Sequence, residues 1–360
     1  MKLRIGVVGC GKVADGHLEE IQKMANAQIT AVCDVEPIMA EQLAVRYSIE
    51  KQYCDFDEML RTEHLDVVHI TTPPQFHLPL ARKAVAAGCH LYVEKPLALN
   101  LSDARELIAA VERSGRKMTI NYWPNFDPPG LALRNAVEGG EIGEPVLVES
   151  YLGYDLSGVF GEALLSDPGH WVHSLPGKLF QNTLDHILNK ITPFLTDPYP
   201  ELKAVAYRRR QRLRHDATDT MRDELRVMLR GEKVSAYATL CSNARPTGHF
   251  LRLYGTRNTV HVDYNSRTIA LEPDQTLPSA LGRLLPPFTQ ARRYFRQGMH
   301  NIGMFKRNEF HYFCGMNQLI SLFYRSILEN KPVPIAYEEI LRVASLMDRI
   351  FAQVYPGTAA

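Results

Sequence analysis

The sequence predicts an α/β domain built on a doubly wound parallel sheet, followed by an α+β domain with an antiparallel sheet. Up to Asn121, short apolar strand patterns alternate with helical patterns, which is typical of parallel βαβ units. The first strand pattern ends in a glycine-rich turn. After Asn121, most strand patterns follow one another without intervening helices. We therefore expect one domain at residues 1–121 and a second at 122–360.

The glycine-rich turn lies between a strand pattern at residues 3–8 and a helical pattern. It has the sequence Gly-Cys-Gly-Lys-Val-Ala over residues 9–14. Gly9 permits the tight turn, Gly11 lets the backbone approach a pyrophosphate, and Ala14 is small enough for helix and strand to pack closely. The helix N-terminus offers N–H groups and a partial positive charge to phosphates. The turn therefore predicts a Rossmann dinucleotide-binding site.

Asp34 ends the second strand pattern and lies 20 positions after Ala14. At this distance Rossmann folds place a carboxylate on the adenosine ribose. Such a carboxylate accepts hydrogen bonds from the ribose hydroxyls and repels a 2′-phosphate. We therefore expect NAD as the cofactor rather than NADP.

Three further strand patterns, at 66–70, 90–93 and 117–120, stop abruptly. Ligands bind outside the carboxyl ends of the strands in open α/β sheets, so the segments that follow are expected to rim one crevice with the glycine turn. These segments are Thr71-Thr72-Pro73-Pro74, Glu94-Lys95-Pro96 and Asn121-Tyr122. Helices are predicted between the strands at 40–47, after a cap at Asp55, at 76–87, and from a cap at Ser102 to Ser114.

The second domain begins with a predicted helix at 127–138 and contains a predicted helix at 180–195 that carries His186. It ends in the helices 316–329 and 338–354, so the terminal helices occupy 316–354. Its strands are predicted at 146–151, 203–209, 225–229, 234–240, 250–254, 259–262 and 268–271.

Composition narrows the class of protein. The net charge of +1 gives no general affinity for nucleic acid. The six cysteines have no Cys-x-x-Cys spacing, which favours a reducing, cytoplasmic compartment. The first strand pattern starts at Leu3, which leaves no room for a signal peptide, and no apolar run reaches the roughly 20 residues that span a bilayer.

Taken together, these motifs resemble the glucose–fructose oxidoreductase, inositol dehydrogenase and rhizopine-catabolism (Gfo/Idh/MocA) oxidoreductases. The matching segments are Gly9–Ala14, Asp34, Thr72-Pro73 with His77, Glu94-Lys95-Pro96, Asn121, Gly140–Glu144, Tyr254-Gly255-Thr256 and the terminal helix pair. The resemblance implies a large, open, mainly antiparallel sheet whose face covers the nicotinamide, and a homo-oligomer formed through this sheet. It also implies hydride transfer between NAD(P) and a carbon that bears a hydroxyl, on a sugar, cyclitol or nucleotide sugar.

The second motif of the family departs from its usual pattern here. Relatives have Gly-Gly-Gly and then Asp-x-Gly-x-His-x-x-Asp, of which His186 matches the catalytic histidine. Asn182 and Asn189 stand where aspartates are usual, and Leu184 replaces the glycine. Because the motif is altered, a non-catalytic NAD-binding sensor or scaffold of the same fold is the alternative hypothesis.

Our mechanistic hypothesis assigns two catalytic residues. His186 is the general base in oxidation, since an unperturbed imidazole has a pKa of ~6.5, and Lys95 stabilises the charge on the reacting oxygen. Because Asn182 replaces an acid, the alternative is that Lys95 carries more of the proton transfer. The residues expected to bind the cofactor are Gly9, Gly11, Lys12, Val13, Ala14, Asp34, Thr71, Thr72, Pro73, His77, Glu94, Lys95 and Asn121. Those expected to contact substrate are Lys95, Tyr122, Asp155, His173, Asn182 and His186. No metal is expected, because His170 and His173 have no evident third ligand.

An insertion from Gln275 to Asn308 contains no Asp or Glu. Its basic residues (Arg283, Arg292, Arg293, Arg296, Lys306 and Arg307) are interleaved with apolar ones. One hypothesis is a subunit interface or a lid. The other is that residues 277–307 make a peripheral contact with the inner face of an anionic membrane, in which case a lipid-linked sugar is a candidate substrate.

Overall fold

A computed structural model describes residues 2–156, 159–167, 169–210, 221–273 and 279–356. The chain divides into two compact units. The first comprises Met1–Trp123 and Phe313–Ser345, and the second comprises Pro124–Tyr312 and Leu346–Ala360.

The first unit contains a sheet of six strands, all parallel, in the order β3-β2-β1-β4-β5-β6. The predicted doubly wound parallel sheet is therefore confirmed. The strands are β1 (Leu3–Val8), β2 (Ala27–Cys33), β3 (Lys51–Tyr53), β4 (Val67–Ile70), β5 (His90–Val93) and β6 (Met118–Ile120). The helices between them are α1 (Lys12–Gln22), α2 (Pro37–Tyr47), α3 (Phe56–Glu63), α4 (His77–Ala86) and α5 (Leu101–Arg113).

The central strands β1, β4 and β5 are mostly apolar and buried. All four residues of β4 are buried, as a parallel strand covered on both faces requires. The helix caps follow local chemistry: Asp55 accepts hydrogen bonds from the N–H groups of Asp57 (2.8 Å) and Glu58 (3.2 Å) at the start of α3. The predicted cap at Ser102 is wrong. The cap is Asn100, two residues earlier, whose side chain accepts the N–H of Asp103 at 2.8 Å, and helix α5 starts at Leu101.

A late segment of the chain returns to the first unit, although the sequence placed the terminal helices in the second domain. The Lys117 ammonium donates to the Ser326 and Lys331 carbonyls, at 2.6 Å each. Phe323 and Tyr324 are completely buried. This segment therefore completes the core of the first unit, through the helix Cys314–Leu328 (α12) and the beginning of the helix Tyr337–Val354 (α13).

The second unit contains a seven-stranded sheet in the order β13-β12-β11-β7-β10-β9-β8. All neighbours are antiparallel except β7 and β10, so the predicted mainly antiparallel sheet is confirmed. Its strands are β7 (Pro145–Asp155), β8 (Glu201–Tyr207), β9 (Glu224–Arg230), β10 (Ser235–Cys241), β11 (Asn243–Gly255), β12 (Asn258–Asp263) and β13 (Thr268–Pro273). Its helices are α6 (Pro128–Glu138), α7 (Val159–Ser166), α8 (Lys178–Gln181), α9 (Asp185–Ile191), α10 (Ser279–Leu284) and α11 (Pro286–Lys306).

One face of this sheet is packed and the other is open. On β9, Leu225, Val227 and Leu229 are buried, whereas Met228 is exposed and lies opposite the exposed Tyr237 of β10. This alternation is expected of an antiparallel sheet with one solvated face.

Two details of the second unit differ from, or add to, the predictions. The single helix predicted at 180–195 is broken into α8 and α9, with Asn182 as the C-cap of α8. The basic insertion forms the helices α10 and α11, while its first residues, including Gln275 and Leu277, lie outside the described residues.

Candidate active site

The glycine loop between β1 and α1 has the geometry of an anion-binding site. Gly9 has a φ of +95°, and a Cβ there would lie 2.8 Å from the backbone nitrogen of Thr72, so only glycine fits. Gly11 is the N-cap of α1, and a Cβ on it would meet nothing within 4 Å. Ala14 is completely buried. Open space therefore adjoins the N–H groups at the start of α1, which fits a pyrophosphate.

The segment after β4 supports the glycine loop. The Thr71 hydroxyl lies 2.6 Å from the Gly9 carbonyl oxygen, to which it donates. The neighbouring Thr72 Oγ1 is buried and has no hydrogen-bond partner within the described residues, which is unusual for a buried hydroxyl. Pro73 is exposed. Thr71 thus holds the glycine loop through a hydrogen bond, whereas the neighbouring Thr72 hydroxyl is available to a ligand.

Asp34 is fixed against the same loop. Its Oδ2 accepts the backbone N–H of Cys10 at 2.7 Å, and its Oδ1 accepts that of Glu36 at 3.0 Å. The carboxylate remains half-exposed at the end of β2. Lys12 and Val13, in the first turn of α1, are exposed and half-buried respectively.

Replacing Asp34 with Asn should shift the cofactor preference towards NADP. Asn keeps an oxygen for the Cys10 N–H but removes the negative charge that repels a 2′-phosphate. We expect the ratio of the dissociation constants for NADP and NAD to fall by about tenfold or more, which corresponds to about 1.4 kcal/mol. Fluorescence titration with both dinucleotides measures it. The exposed Asp57→Asn serves as the control, and an unchanged ratio in Asp34→Asn would contradict the assignment.

Glu94, directly after β5, is a buried carboxylate that accepts three hydrogen bonds. Its Oε1 accepts from His17 Nε2 at 2.9 Å and from Asn121 Nδ2 at 2.5 Å, and its Oε2 accepts the backbone N–H of Lys95 at 3.0 Å. Burial raises the pKa of Glu94, but the hydrogen bonds from His17 and Asn121 and the charge of Lys95 outweigh it, so the pKa lies below its usual value. Glu94 is therefore an anion that fixes the backbone from which the half-buried Lys95 side chain extends.

The hydrogen bonds continue from Glu94 into the core of the first unit. His17 Nδ1 lies 2.8 Å from His69 Nδ1, and His69 Nε2 lies 2.8 Å from the Tyr324 hydroxyl. Burial, followed by the proximity of His17, lowers the pKa of His69 well below its usual value. One set of donors satisfies every contact: Tyr324 donates to His69 Nε2, His69 Nδ1 to His17 Nδ1, and His17 Nε2 to Glu94. We call Tyr324, His69, His17, Glu94 and Asn121 the buried network.

Two predicted cofactor residues have structural partners. The Asn121 side chain accepts the Tyr92 hydroxyl at 2.7 Å while donating to Glu94, so both ends of its amide are used. His77 is completely buried between the carbonyl oxygens of Thr72 (2.8 Å from Nε2) and Leu97 (3.1 Å from Nδ1). Burial lowers its pKa. His77 thereby bridges the segments that follow β4 and β5.

Sequence reasoning missed three members of the buried network. His17 lies three residues after Ala14 in the glycine-loop helix, and His69 is the one polar residue of β4. Both positions are unusual for histidine and were usable signals. Tyr324 follows His69 by 255 residues, and nothing local to it indicates this contact.

In the second unit, His186 is the second residue of α9 and is half-buried. Lys190, one turn later, is completely enclosed. Its ammonium donates to the His186 carbonyl at 2.5 Å and lies 4.8 Å from the centre of the Tyr264 ring. Burial lowers the pKa of Lys190 to about 7, although Asp185 and Asp127 act in the opposite direction. The helix that carries His186 therefore also contains a buried lysine, whose ammonium contacts the His186 backbone.

Replacing Lys190 with Met should stabilise the protein at neutral pH. In the folded state the pKa of Lys190 is about 7, whereas the ordinary lysine pKa is 10.5, so between these pH values the unfolded chain binds more protons and stability rises with pH. Met removes this dependence and the cost of burying an ammonium, so we expect a gain of at least about 1 kcal/mol near pH 7. Urea unfolding at neutral and alkaline pH measures it. The exposed Lys203→Met should leave the pH dependence intact, and a destabilised Lys190→Met would contradict us.

The remaining predicted substrate residues have varied surroundings. Tyr122 is only 2% exposed. Asp155 forms ion pairs with Arg210 and Arg245. His173 Nε2 lies 3.2 Å from the Leu164 carbonyl oxygen, and Asn182 is half-buried. In the part of the chain that the structure describes, no group of three His, Cys, Asp or Glu side chains is arranged to hold a metal ion.

Comparison with known proteins matches the N-terminal third of the chain to a family. Residues 3–122 match the family model GFO_IDH_MocA, described as "Oxidoreductase family, NAD-binding Rossmann fold". Inositol 2-dehydrogenase of Salmonella typhimurium is 31% identical over 151 residues, which cover 41% of this chain and 45% of the relative. D-apiose dehydrogenase of Paraburkholderia graminis is 34% identical over 139 residues, covering 39% and 37%. The chain thus spans about half the length, or less, of the curated relatives it matches.

Solved structures resemble the chain over nearly its whole length. The WlbA dehydrogenase of Bordetella pertussis, in complex with NADH and UDP-GlcNAcA, has a TM-score of 0.75 at 18% identity and covers 99% of this chain and 96% of its own. An oxidoreductase of Agrobacterium radiobacter, in complex with NAD+, L-tartaric acid and magnesium, has a TM-score of 0.75 at 16% identity and covers 99% and 97%. At these identities the likeness establishes the two-domain fold.

The fold and the glycine loop define a dinucleotide-binding oxidoreductase architecture. Residues 3–122 belong to the Gfo/Idh/MocA oxidoreductase family, and the cofactor of this family domain is NAD. The predicted family and the predicted cofactor are therefore confirmed.

Proposed function

We propose that this protein is an NAD-dependent dehydrogenase or ketoreductase. Its substrate is a sugar, cyclitol, nucleotide sugar or lipid-linked sugar, and the reacting group is a secondary hydroxyl or keto carbon. The observation that carries the proposal is the anionic Glu94, which holds Lys95 at the end of β5 in an NAD-binding domain. The printed names of the relatives, inositol 2-dehydrogenase and D-apiose dehydrogenase, support this substrate class.

Two side chains of this protein act on the reacting hydroxyl group. NAD, when bound, supplies the acceptor for the hydride that leaves the carbon. His186 takes the hydroxyl proton during oxidation and returns it during reduction. The Lys95 ammonium donates a hydrogen bond to the same oxygen and stabilises its charge as the C–O single bond becomes a carbonyl. Asn182 stands where relatives have an aspartate, so here the imidazolium lacks that anion.

The proposed cofactor residues act in two ways. The phosphates bind at the glycine loop, formed by Gly9, Gly11, Lys12, Val13 and Ala14. Asp34 accepts hydrogen bonds from the ribose hydroxyls. Thr72, with Pro73 next to it, contributes a hydroxyl that has no hydrogen-bond partner within the described residues. Thr71, His77, Glu94 and Asn121 support these segments from within the core. For the substrate we retain Lys95, Tyr122, Asp155, His173, Asn182 and His186 as proposed contacts.

Mixing the NAD-loaded protein with candidate sugars and cyclitols tests the function. We expect a burst of absorbance from reduced nicotinamide, with an amplitude equal to the enzyme concentration, for at least one member of the panel. Reverse assays with NADH and the corresponding keto sugars test the reductase direction. If the protein binds NAD tightly and no panel member changes its redox state in either direction, the non-catalytic sensor or scaffold is the better hypothesis.

We also propose that the open face of the seven-stranded sheet joins subunits into a homo-oligomer. Val205 (64% exposed), Tyr207, Met228 and Tyr237 form an apolar surface on this face. A charged Tyr237→Arg variant should dissociate the assembly in sedimentation velocity. If the wild-type protein is a monomer at every concentration measured, this proposal is wrong.

A further inference from the structure

Helix α11 carries its apolar face outward. Its inner face packs on β13, where the Gln297 side chain accepts the Ile269 N–H at 2.6 Å and Asn301 donates to the Ser266 carbonyl at 3.2 Å. Met304 is the buried residue of this helix. The helix is therefore anchored through a mostly polar face, the reverse of a normal surface helix.

The outward face forms one continuous stripe. Phe288 is 69% exposed and Phe295 is 71% exposed, and Met299 and Ile302 follow at helical spacing with about half of their surface exposed. Leu281, Leu284 and Phe305 extend the exposed apolar surface at either end. Single exposed apolar residues are ordinary, but a continuous stripe of this size marks an interaction surface.

Basic side chains lie within the stripe. Arg292 is four residues after Phe288 and three before Phe295, and it is exposed, as are Arg296 and Lys306. Residues 275–308 contain no Asp or Glu. The surface is therefore complementary to a partner that is both apolar and negatively charged.

We propose that α11 docks on an anionic lipid bilayer, lying in the plane of the headgroups. Its 21 residues give a rod about 30 Å long, with the phenylalanines directed towards the acyl chains and the arginines towards lipid phosphates. None of the helices within the described residues is long and apolar enough to cross a membrane. The contact is therefore peripheral.

A second copy of the chain is a poorer occupant of this surface. A two-fold interface would place the same stripe on both sides, so Arg292, Arg296 and Lys306 would face another basic stripe that contains no acid. An anionic bilayer has no such conflict, because its charge is opposite and its interior is apolar.

Co-sedimentation of the full-length protein with vesicles tests the proposal. The wild-type protein should bind vesicles that contain phosphatidylglycerol, bind phosphatidylcholine vesicles at least about tenfold more weakly, and lose binding as salt increases. Phe288→Ser with Phe295→Ser, and separately Arg292→Gln with Arg296→Gln, should each weaken binding by about tenfold or more. Circular dichroism melting curves should be unchanged, because all four side chains are on the surface.

Two matched control variants distinguish binding through this surface from nonspecific adsorption to vesicles. Val45→Ser with Tyr199→Ser removes equally exposed apolar groups, and Arg61→Gln with Arg113→Gln removes equally exposed charges elsewhere. Neither should change vesicle binding. Absence of binding to anionic vesicles, or equal loss in the controls, overturns the proposal. So does a self-associated wild-type protein that dissociates in the Phe288/Phe295 variant without vesicle binding. The result is independent of the proposed dehydrogenase activity, which is measured in solution.

Discussion

Lys95→Met should lower kcat by about a thousandfold while the dissociation constant for NAD changes by less than about threefold. Met has nearly the length of Lys but has no ammonium to stabilise the reacting oxygen. The backbone N–H of Lys95, which Glu94 accepts at 3.0 Å, is retained, so the segment after β5 keeps its position. Steady-state kinetics on the substrate found in the burst assay, together with fluorescence titration of NAD, measures both quantities.

The control for this experiment is Lys83→Met. Lys83 is an exposed lysine of the same unit, ion-paired with Asp57 at 2.6 Å, and its loss should leave kcat unchanged. Lys95→Met turnover within tenfold of the wild-type value would remove Lys95 from the mechanism.

The pH dependence separates the roles of Lys95 and His186. If His186 is the base, kcat/KM for oxidation falls at acidic pH, because a protonated imidazole cannot take the hydroxyl proton. Lys95→Met should keep this decline at a lower overall rate, and His186→Asn should abolish it. A decline that disappears in Lys95→Met instead would make the lysine the group that takes the proton.

The sequence was sufficient to predict the architecture where the signals are local. The glycine turn, the position of Asp34 and the alternation of strands and helices depend on neighbouring residues, and the structure bears out the parallel sheet they predict. The break between α8 and α9 was missed because the apolar spacing of the predicted helix continues through residues 182–184. A periodic pattern indicates which residues are buried, but not whether the backbone turns between them.

Side-chain contacts between residues far apart in the chain could not be predicted from the sequence. The packing of α12 in the first unit depends on the contact between Tyr324 and His69, and the surroundings of Asp155 depend on Arg210 and Arg245. Asn121 follows a strand, as predicted, yet its amide is used by Tyr92 and Glu94. Sequence position located Asn121 at the end of its strand, whereas its partners Tyr92 and Glu94 come from another strand and the segment after it.

The second large effect is expected at Glu94. Glu94→Leu leaves the His17 and Asn121 donors buried without their acceptor, and should lower the free energy of unfolding by about 3–5 kcal/mol. Glu94→Gln keeps an acceptor oxygen and should cost less than half as much. Urea unfolding followed by circular dichroism measures each variant, with the exposed Glu58→Leu as the control for introducing leucine.

A double-mutant cycle with His17→Leu shows whether this cost comes from the buried network. Removing both partners of a buried hydrogen bond costs less than the sum of the single changes, because the orphaned donor disappears with its acceptor. We therefore expect the Glu94→Leu, His17→Leu double variant to be more stable than additivity predicts by about 1–3 kcal/mol. Additive losses would mean that the two side chains stabilise the protein separately. In that case the hydrogen bond between His17 and Glu94 would contribute little to the stability of the fold.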